Sequence, residues 1–176
     1  MEEASPRCYE TRRVASLRCI NRRVSAIAAL LSSVLLASVG LPAESPASTV
    51  GCEEAAGVGA PPPGAARVGP FRMPGRRQRA AHWNPVAKRF TSKVPVVVLG
   101  SRPVTVRVPE RLAGRLVMTY GHGFSGEVTF VPCAGRRATF FPGGMAFTRR
   151  EPISLLVRPE GWARPRVLGL GVFPPS

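Results

Sequence analysis

From Val94 to the C-terminus, Gly and Pro interrupt the chain about every ten residues, and the apolar residues between them recur in steps of two. A strand points successive side chains to opposite faces, so period two marks a strand with one buried face. Helices are poorly compatible with this spacing. Proline removes a backbone donor and clashes with the preceding turn, and glycine adds the entropy of a freely rotating backbone. Val104, Val106 and Val108 alternate with Thr105 and Arg107. Leu116, Met118 and Tyr120 share a face, as do Val128 and Phe130, then Ile153, Leu155 and Val157, then Leu168, Leu170 and Val172. Val94–Leu99 is a continuous apolar run, and Ala138–Phe141 and Met145–Thr148 flank Pro142-Gly143-Gly144. About eight strands in 83 residues point to an all-β sandwich or barrel. We read residues 94–176 as an immunoglobulin-like β-sandwich without the Cys…Trp…Cys spacing of antibody domains. A small β-barrel is the alternative that the pattern leaves open.

The N-terminal 47 residues have a different character. Six arginines lie within residues 1–23, and Val24–Ala43 then carries no charge. A basic stretch followed by an apolar one and by small residues has the order of a signal peptide. The positive flank stays cytoplasmic, so the remainder is exported. Twenty uncharged residues also reach about 30 Å as a helix, enough for a membrane anchor. Leu41-Pro42-Ala43 and Ser45-Pro46-Ala47 offer cleavage sites, and Thr49-Val50-Gly51-Cys52 offers lipidation at Cys52. Three outcomes therefore stand: a cleaved leader, a lipoprotein, or a retained membrane-directed helix. Each places the product outside the cytoplasm, secreted or held at the outer face of the cytoplasmic membrane.

Residues 48–93 read as a disordered linker rich in Pro, Gly and Arg. Ala60-Pro61-Pro62-Pro63-Gly64 favours an extended, solvated backbone. Val68-Gly69-Pro70-Phe71 is a possible short strand, and His82-Trp83-Asn84-Pro85 a possible aromatic anchor. Of the four cysteines, Cys8 and Cys19 belong to the leader. Cys52 and Cys133 remain, and an oxidising compartment permits a disulfide between them unless Cys52 carries lipid.

The chain offers little for catalysis. Asp is absent, and the β region holds only Glu110, Glu127, Glu151 and Glu160. A Ser-His-Asp triad lacks its carboxylate, and nothing marks a pair of glycosidase carboxylates. His82 and His122 are the only histidines, and there is no Cys-x-x-Cys, so no metal site is read. Gly121-His122-Gly123-Phe124-Ser125-Gly126 is the most enzyme-like stretch. It lacks the strand-loop-helix setting of a phosphate loop and reads as a turn between strands. No catalytic residue and no cofactor are assigned.

Charge says more. The net charge is +15, and 23 of the 25 basic residues are Arg. Such a chain attracts polyanions and anionic lipid surfaces. Arg136-Arg137 and Arg149-Arg150 flank the segment centred on Pro142-Gly143. If that segment is a hairpin, the two pairs meet at its open end as an anion patch; Pro-Gly favours a type II turn, which suits hairpins poorly, so the alternative is two strands in different sheets. Aromatics for stacking are few, and export removes the genome, so nucleic acid is not an expected partner.

Val104-Thr105-Val106-Arg107-Val108-Pro109, Val128-Thr129-Phe130-Val131-Pro132-Cys133 and Phe140-Phe141-Pro142-Gly143-Gly144, with the leader and Gly51-Cys52, resemble a group of uncharacterised exported β-sandwich proteins of GC-rich bacteria. The resemblance covers about half the chain, through strand and turn patterns of low specificity. It implies an exported β domain and carries over no activity and no functional residue. The expected function is non-enzymatic: an envelope protein that binds an anionic envelope polymer, a lipid surface or a protein partner. An exported enzyme of unrecognised type and an accessory subunit of a membrane-associated complex are the alternatives.

Intact mass from the native host separates the leader outcomes. A cleaved secreted domain starts near residue 44 or 48 and gains two hydrogens on reduction, a lipoprotein starts at Cys52 with added acyl mass, and an anchored chain retains Met1.

Overall fold

The structure, a computed structural model, describes residues 47–57 and 59–175, the side chain of Arg77 excepted. The expected membrane-directed helix lies outside the described residues. Among those described, no helix is long and apolar enough to cross a membrane.

The fold is all-β. Its strands are β1 (Ser48–Val50), β2 (Ala66–Val68), β3 (Phe71–Met73), β4 (His82–Asn84), β5 (Arg89–Lys93), β6 (Val96–Leu99), β7 (Val104–Arg107), β8 (Leu116–Tyr120), β9 (Glu127–Phe130), β10 (Ala138–Phe141), β11 (Gly143–Phe147), β12 (Ile153–Pro159) and β13 (Arg166–Gly171). They form three sheets: β1-β9-β7-β12-β13, β10-β6-β3-β2 and β4-β5-β11-β8. None closes on itself, so the small barrel is not the fold.

Two of these sheets share a spine. β10 pairs with β6 and β11 pairs with β5, both antiparallel, with Phe141 opposite Val96 and Gly144 opposite Lys93. The residues between are equal in number on the two sides, Pro142-Gly143 against Val94-Pro95, so the register runs through unbroken. The Val94 amide donates to the Gly143 carbonyl at 3.0 Å, which makes that a hydrogen-bonded pair. The next pair, Pro95 with Pro142, then turns its backbone nitrogens away from the ladder, and no bond between the two strands is lost. Neither proline can donate outward either, so flanking strands stop there. β3 ends at Met73 before Pro74, and β8 ends at Tyr120. The result is a corner in one long strand pair, with a sheet on each side of it.

Glycines let the chains approach closely at this corner. A Cβ on Gly143 would lie 2.2 Å from the ring of Tyr120, its partner across the ladder, and one on Gly144 would lie 2.3 Å from the Ser92 carbonyl oxygen. The Tyr120 ring covers Gly143, and its hydroxyl donates to the Val94 carbonyl. Burial pushes the Tyr120 phenol far above its usual range, so it acts as a neutral donor. Pro142-Gly143-Gly144 forms no hairpin turn: β10 and β11 belong to different sheets, the alternative its Pro-Gly composition left open.

The five-stranded sheet lies against this bent layer. Its inward residues, including Val104, Val106, Val128, Leu155, Val157, Leu168 and Leu170, join one core with Phe71, Val96, Val98, Phe141, Met118 and Phe147 of the other two sheets. Phe130 is where the three sheets meet. Its ring centroid lies 5.9 Å from Phe71, 5.2 Å from Phe141 and 5.0 Å from Tyr120.

Residues 48–93 correct the sequence reading. The expected linker carries β1–β5, and Val50, Val68, Phe71, Met73 and Ala81 are buried. Most of these strands are three residues long, too short to display a period. Val68-Gly69-Pro70-Phe71 is a hairpin, with Val68 opposite Phe71 and Gly69 at φ +54° in its two-residue turn. Such a positive φ at the first turn position matches the twist of paired strands. β1 runs parallel to β9, Val50 beside Phe130. Just beyond, Cys52 and Cys133 are disulfide-bonded across 81 positions, which leaves Cys52 no free thiol for a lipid.

Phe130→Ala is expected to lower unfolding free energy by about 3–5 kcal/mol, measured by urea denaturation. Replacing both Cys52 and Cys133 by Ser is expected to cost roughly 4 kcal/mol in the same assay. Both variants should keep the β signature in circular dichroism.

Candidate functional site

One basic hollow is made by the β2–β3 hairpin and β13. Arg67 of β2 lies directly across from Arg72 of β3. Like charges so placed repel unless they splay or meet an anion. Arg166 and Val167 at the start of β13 complete the wall, and the hollow holds about 370 Å³. No carboxylate lines it.

Local packing fixes two of the three guanidiniums, those of Arg72 and Arg166. Arg72 donates through Nη1 to the Phe71 carbonyl at 2.9 Å and to the Gly69 carbonyl, so its fork is held beside the hairpin turn. Trp162 packs against that turn, where a Cβ on Gly69 would lie 2.9 Å from the indole. Arg166 lies over the same indole, its guanidinium carbon 4.9 Å from the ring centroid. Gly69 thus serves both the turn and the seat for Trp162, which positions Arg166. Burial, and then the nearby charge of Arg67, lower the pKa of Arg72. Arginine nevertheless stays charged at any physiological pH. The site concentrates positive charge, and a phosphate, sulfate or carboxylate would relieve its repulsion through two-pronged hydrogen bonds.

The expected patch of Arg136, Arg137, Arg149 and Arg150 does not assemble. β10 and β11 are successive parts of one strand, so the two pairs stand at opposite ends of it. Arg137 accepts a backbone bond from Gly100, at the end of the ladder where Leu99 bonds to Pro70. Arg149 and Arg150 follow Phe147 at the other end, beside the β4–β5 hairpin, and the Arg150 guanidinium lies 4.8 Å from the Phe90 ring centroid.

The glycine-rich stretch 121–126 links β8 to β9, and its Ser125 exchanges backbone bonds with Met118. Ser125 Oγ donates to the Glu127 carbonyl at 2.5 Å and accepts from the Glu127 amide at 3.1 Å, which is turn chemistry. His122 is exposed. Among the described residues, no three His, Cys, Asp or Glu side chains converge as metal ligands. A wider groove of about 860 Å³ crosses the outer face of the β4-β5-β11-β8 sheet, floored by Thr91, Gly144 and Ala146 and flanked by His82, Arg89 and Phe124.

The arginine hollow was not legible in the sequence, because Arg166 lies almost a hundred residues from Arg67 and Arg72. The one local cue was an arginine on either side of Val68-Gly69-Pro70-Phe71, which become cross-strand partners once that segment is a hairpin. Comparison of the chain with protein-family models, curated proteins and solved structures finds no match.

Proposed function

We propose that this is an exported, non-enzymatic envelope protein whose immunoglobulin-like β domain binds an anionic envelope polymer at the hollow formed by Arg67, Arg72 and Arg166. The observation that carries the reading is a hollow lined by three arginines with no carboxylate in its wall. Charge composition favours the same ligand class. Glu151, one of few carboxylates, is already engaged by Arg115 at 2.9 Å. Export is supported by the basic leader and by the Cys52–Cys133 disulfide, since such bonds persist in oxidising compartments. A polymer with regularly spaced phosphates or carboxylates would bring several anions to the hollow and the surrounding arginines. Binding would be electrostatic and steeply salt-dependent.

The test is titration of the protein with polyphosphate and with a polyuronate across a range of salt. Affinity should fall as salt rises. Arg166→Ala should weaken binding roughly tenfold, in line with one lost charge-assisted contact. Arg72→Lys keeps the charge but not the planar fork, and should fall between wild type and Arg72→Ala. Equal affinity in wild type and in the triple Ala variant of Arg67, Arg72 and Arg166 would sink the proposal.

A further inference from the structure

A second basic surface stands at the other end of the long strand pair, around an exposed Trp and Val. β4 and β5 form a hairpin whose tip, residues 85–88, is exposed. Asn84 Oδ1 accepts from the Val86 and Ala87 amides, both at 3.0 Å, and Lys88 takes φ +49°, so the tip has a defined shape. At this tip Val86 is 92% exposed, and Trp83 on the adjoining strand is 51% exposed. Trp83 ends a row of rings running out from the core: Phe173 to Phe147 at 5.4 Å, Phe147 to Phe90 at 5.7 Å, and Phe90 to Trp83 at 4.9 Å. The indole is therefore supported from behind while half of it faces solvent.

Cations surround this apolar tip. Lys88 lies in the turn and Arg89 starts β5. Extending the β5–β11 register past Phe90 and Phe147 places Thr148 beside Arg89 and Arg149 beside Lys88. Arg150 packs over Phe90. The neighbouring carboxylate, Glu151, is held by Arg115. Arg89 turns to the other face, its guanidinium carbon 5.4 Å from the Phe124 ring centroid, so one end of the sheet presents a supported Trp, an exposed Val and three basic residues, Lys88, Arg149 and Arg150.

We propose that this end of the β4-β5-β11-β8 sheet docks on an anionic lipid bilayer, with Trp83 and Val86 entering the interface and Lys88, Arg149 and Arg150 meeting the lipid phosphates. An indole with one apolar face and a polar N–H suits the interfacial layer, and long basic side chains keep their heads at the phosphates while their stems lie on apolar surface. A soluble polyanion would use the cations but would leave Trp83 and Val86 without a partner, so charge and exposed apolar surface together favour the bilayer. This inference does not depend on the arginine hollow.

The test uses the full chain with Trp162→Phe, which leaves Trp83 as the sole tryptophan. It is mixed with vesicles of phosphatidylcholine alone, or with added phosphatidylglycerol, in each case with and without brominated acyl chains. Every variant carries the same apolar leader, so sedimentation does not decide the question; Trp83 emission does. On anionic vesicles the emission should shift to the blue and be quenched by bromine, with little change on phosphatidylcholine alone. Each neutralising change at Lys88, Arg149 or Arg150 should lower the apparent vesicle affinity of that emission change about fivefold. Val86→Ser should reduce the quenching with no change in the salt dependence. Trp83 emission that ignores anionic lipid overturns the proposal. So does emission that responds to soluble polyphosphate but is not quenched by brominated lipid, which would make this end a polymer site.

Discussion

The pairing of Pro95 with Pro142 governs the architecture. Two strands keep one register from Phe90–Phe147 to Leu99–Ala138, and the prolines sit opposite each other within it. Because their nitrogens face outward, the ladder between the two strands survives, while any strand that would flank them loses a donor. Extending the β3–β6 register puts Pro74 beside Pro95, so three adjacent strands carry proline in one row. A sheet that would otherwise be flat and wide becomes two smaller sheets at a corner. That corner wraps the five-stranded sheet and lets Phe130 touch rings from both arms. A wide sheet with a straight edge invites pairing with other chains; this one ends in short strands and prolines.

The corner also organises the charge. Aliphatic and aromatic side chains fill the interior, and the basic residues are displaced to the two ends of the bent ladder and to the outer faces. Arg79 is the exception. It is 4% exposed, its Nε and Nη1 lack partners, and its guanidinium lies 5.3 Å from the Phe173 ring centroid. Burial and the nearby Arg76 lower its pKa. The ring offsets part of the desolvation cost of this cation.

Much of the fold was legible in the sequence because strand periodicity is local. Each of the eight apolar segments from Val94 onward contains a strand, and the alternating residues, such as Val104, Val106, Leu155 and Val157, are the ones buried. What was not legible depends on partners distant in sequence. β2 and β3 expose only three residues each to a periodicity test, and they become strands because Leu99 and Val97 offer an edge to pair with. Pro142-Gly143-Gly144 has turn composition, and only its partners, Val94 and Pro95, make it a bend instead. The anion patch turned on the same alternative: a hairpin there would have brought Arg137 and Arg149 together, whereas β10 and β11, in different sheets, hold them apart. The arginine hollow needs both the β2–β3 turn and β13, so no window of the sequence contains it.

The two basic surfaces are then consequences of one strand pair. The β2–β3 turn sits where Leu99 bonds to Pro70, and the β4–β5 tip sits at the Arg89 end. Ten paired positions separate these ends, about 33 Å along the strand before the bend shortens it. That exceeds the screening length of about 8 Å at physiological salt, so an anion at one end scarcely alters the field at the other. The ends also differ in kind. The hollow gathers three arginines, with Arg72 held at the hairpin turn and Arg166 braced on Trp162, which suits discrete oxoanions. The tip spreads cations around exposed Trp83 and Val86, which suits a surface with a charged layer over an apolar one. A chain docked through its tip would therefore keep its hollow open to a polymer, and the corner set by Pro95 and Pro142 would fix the angle between the two.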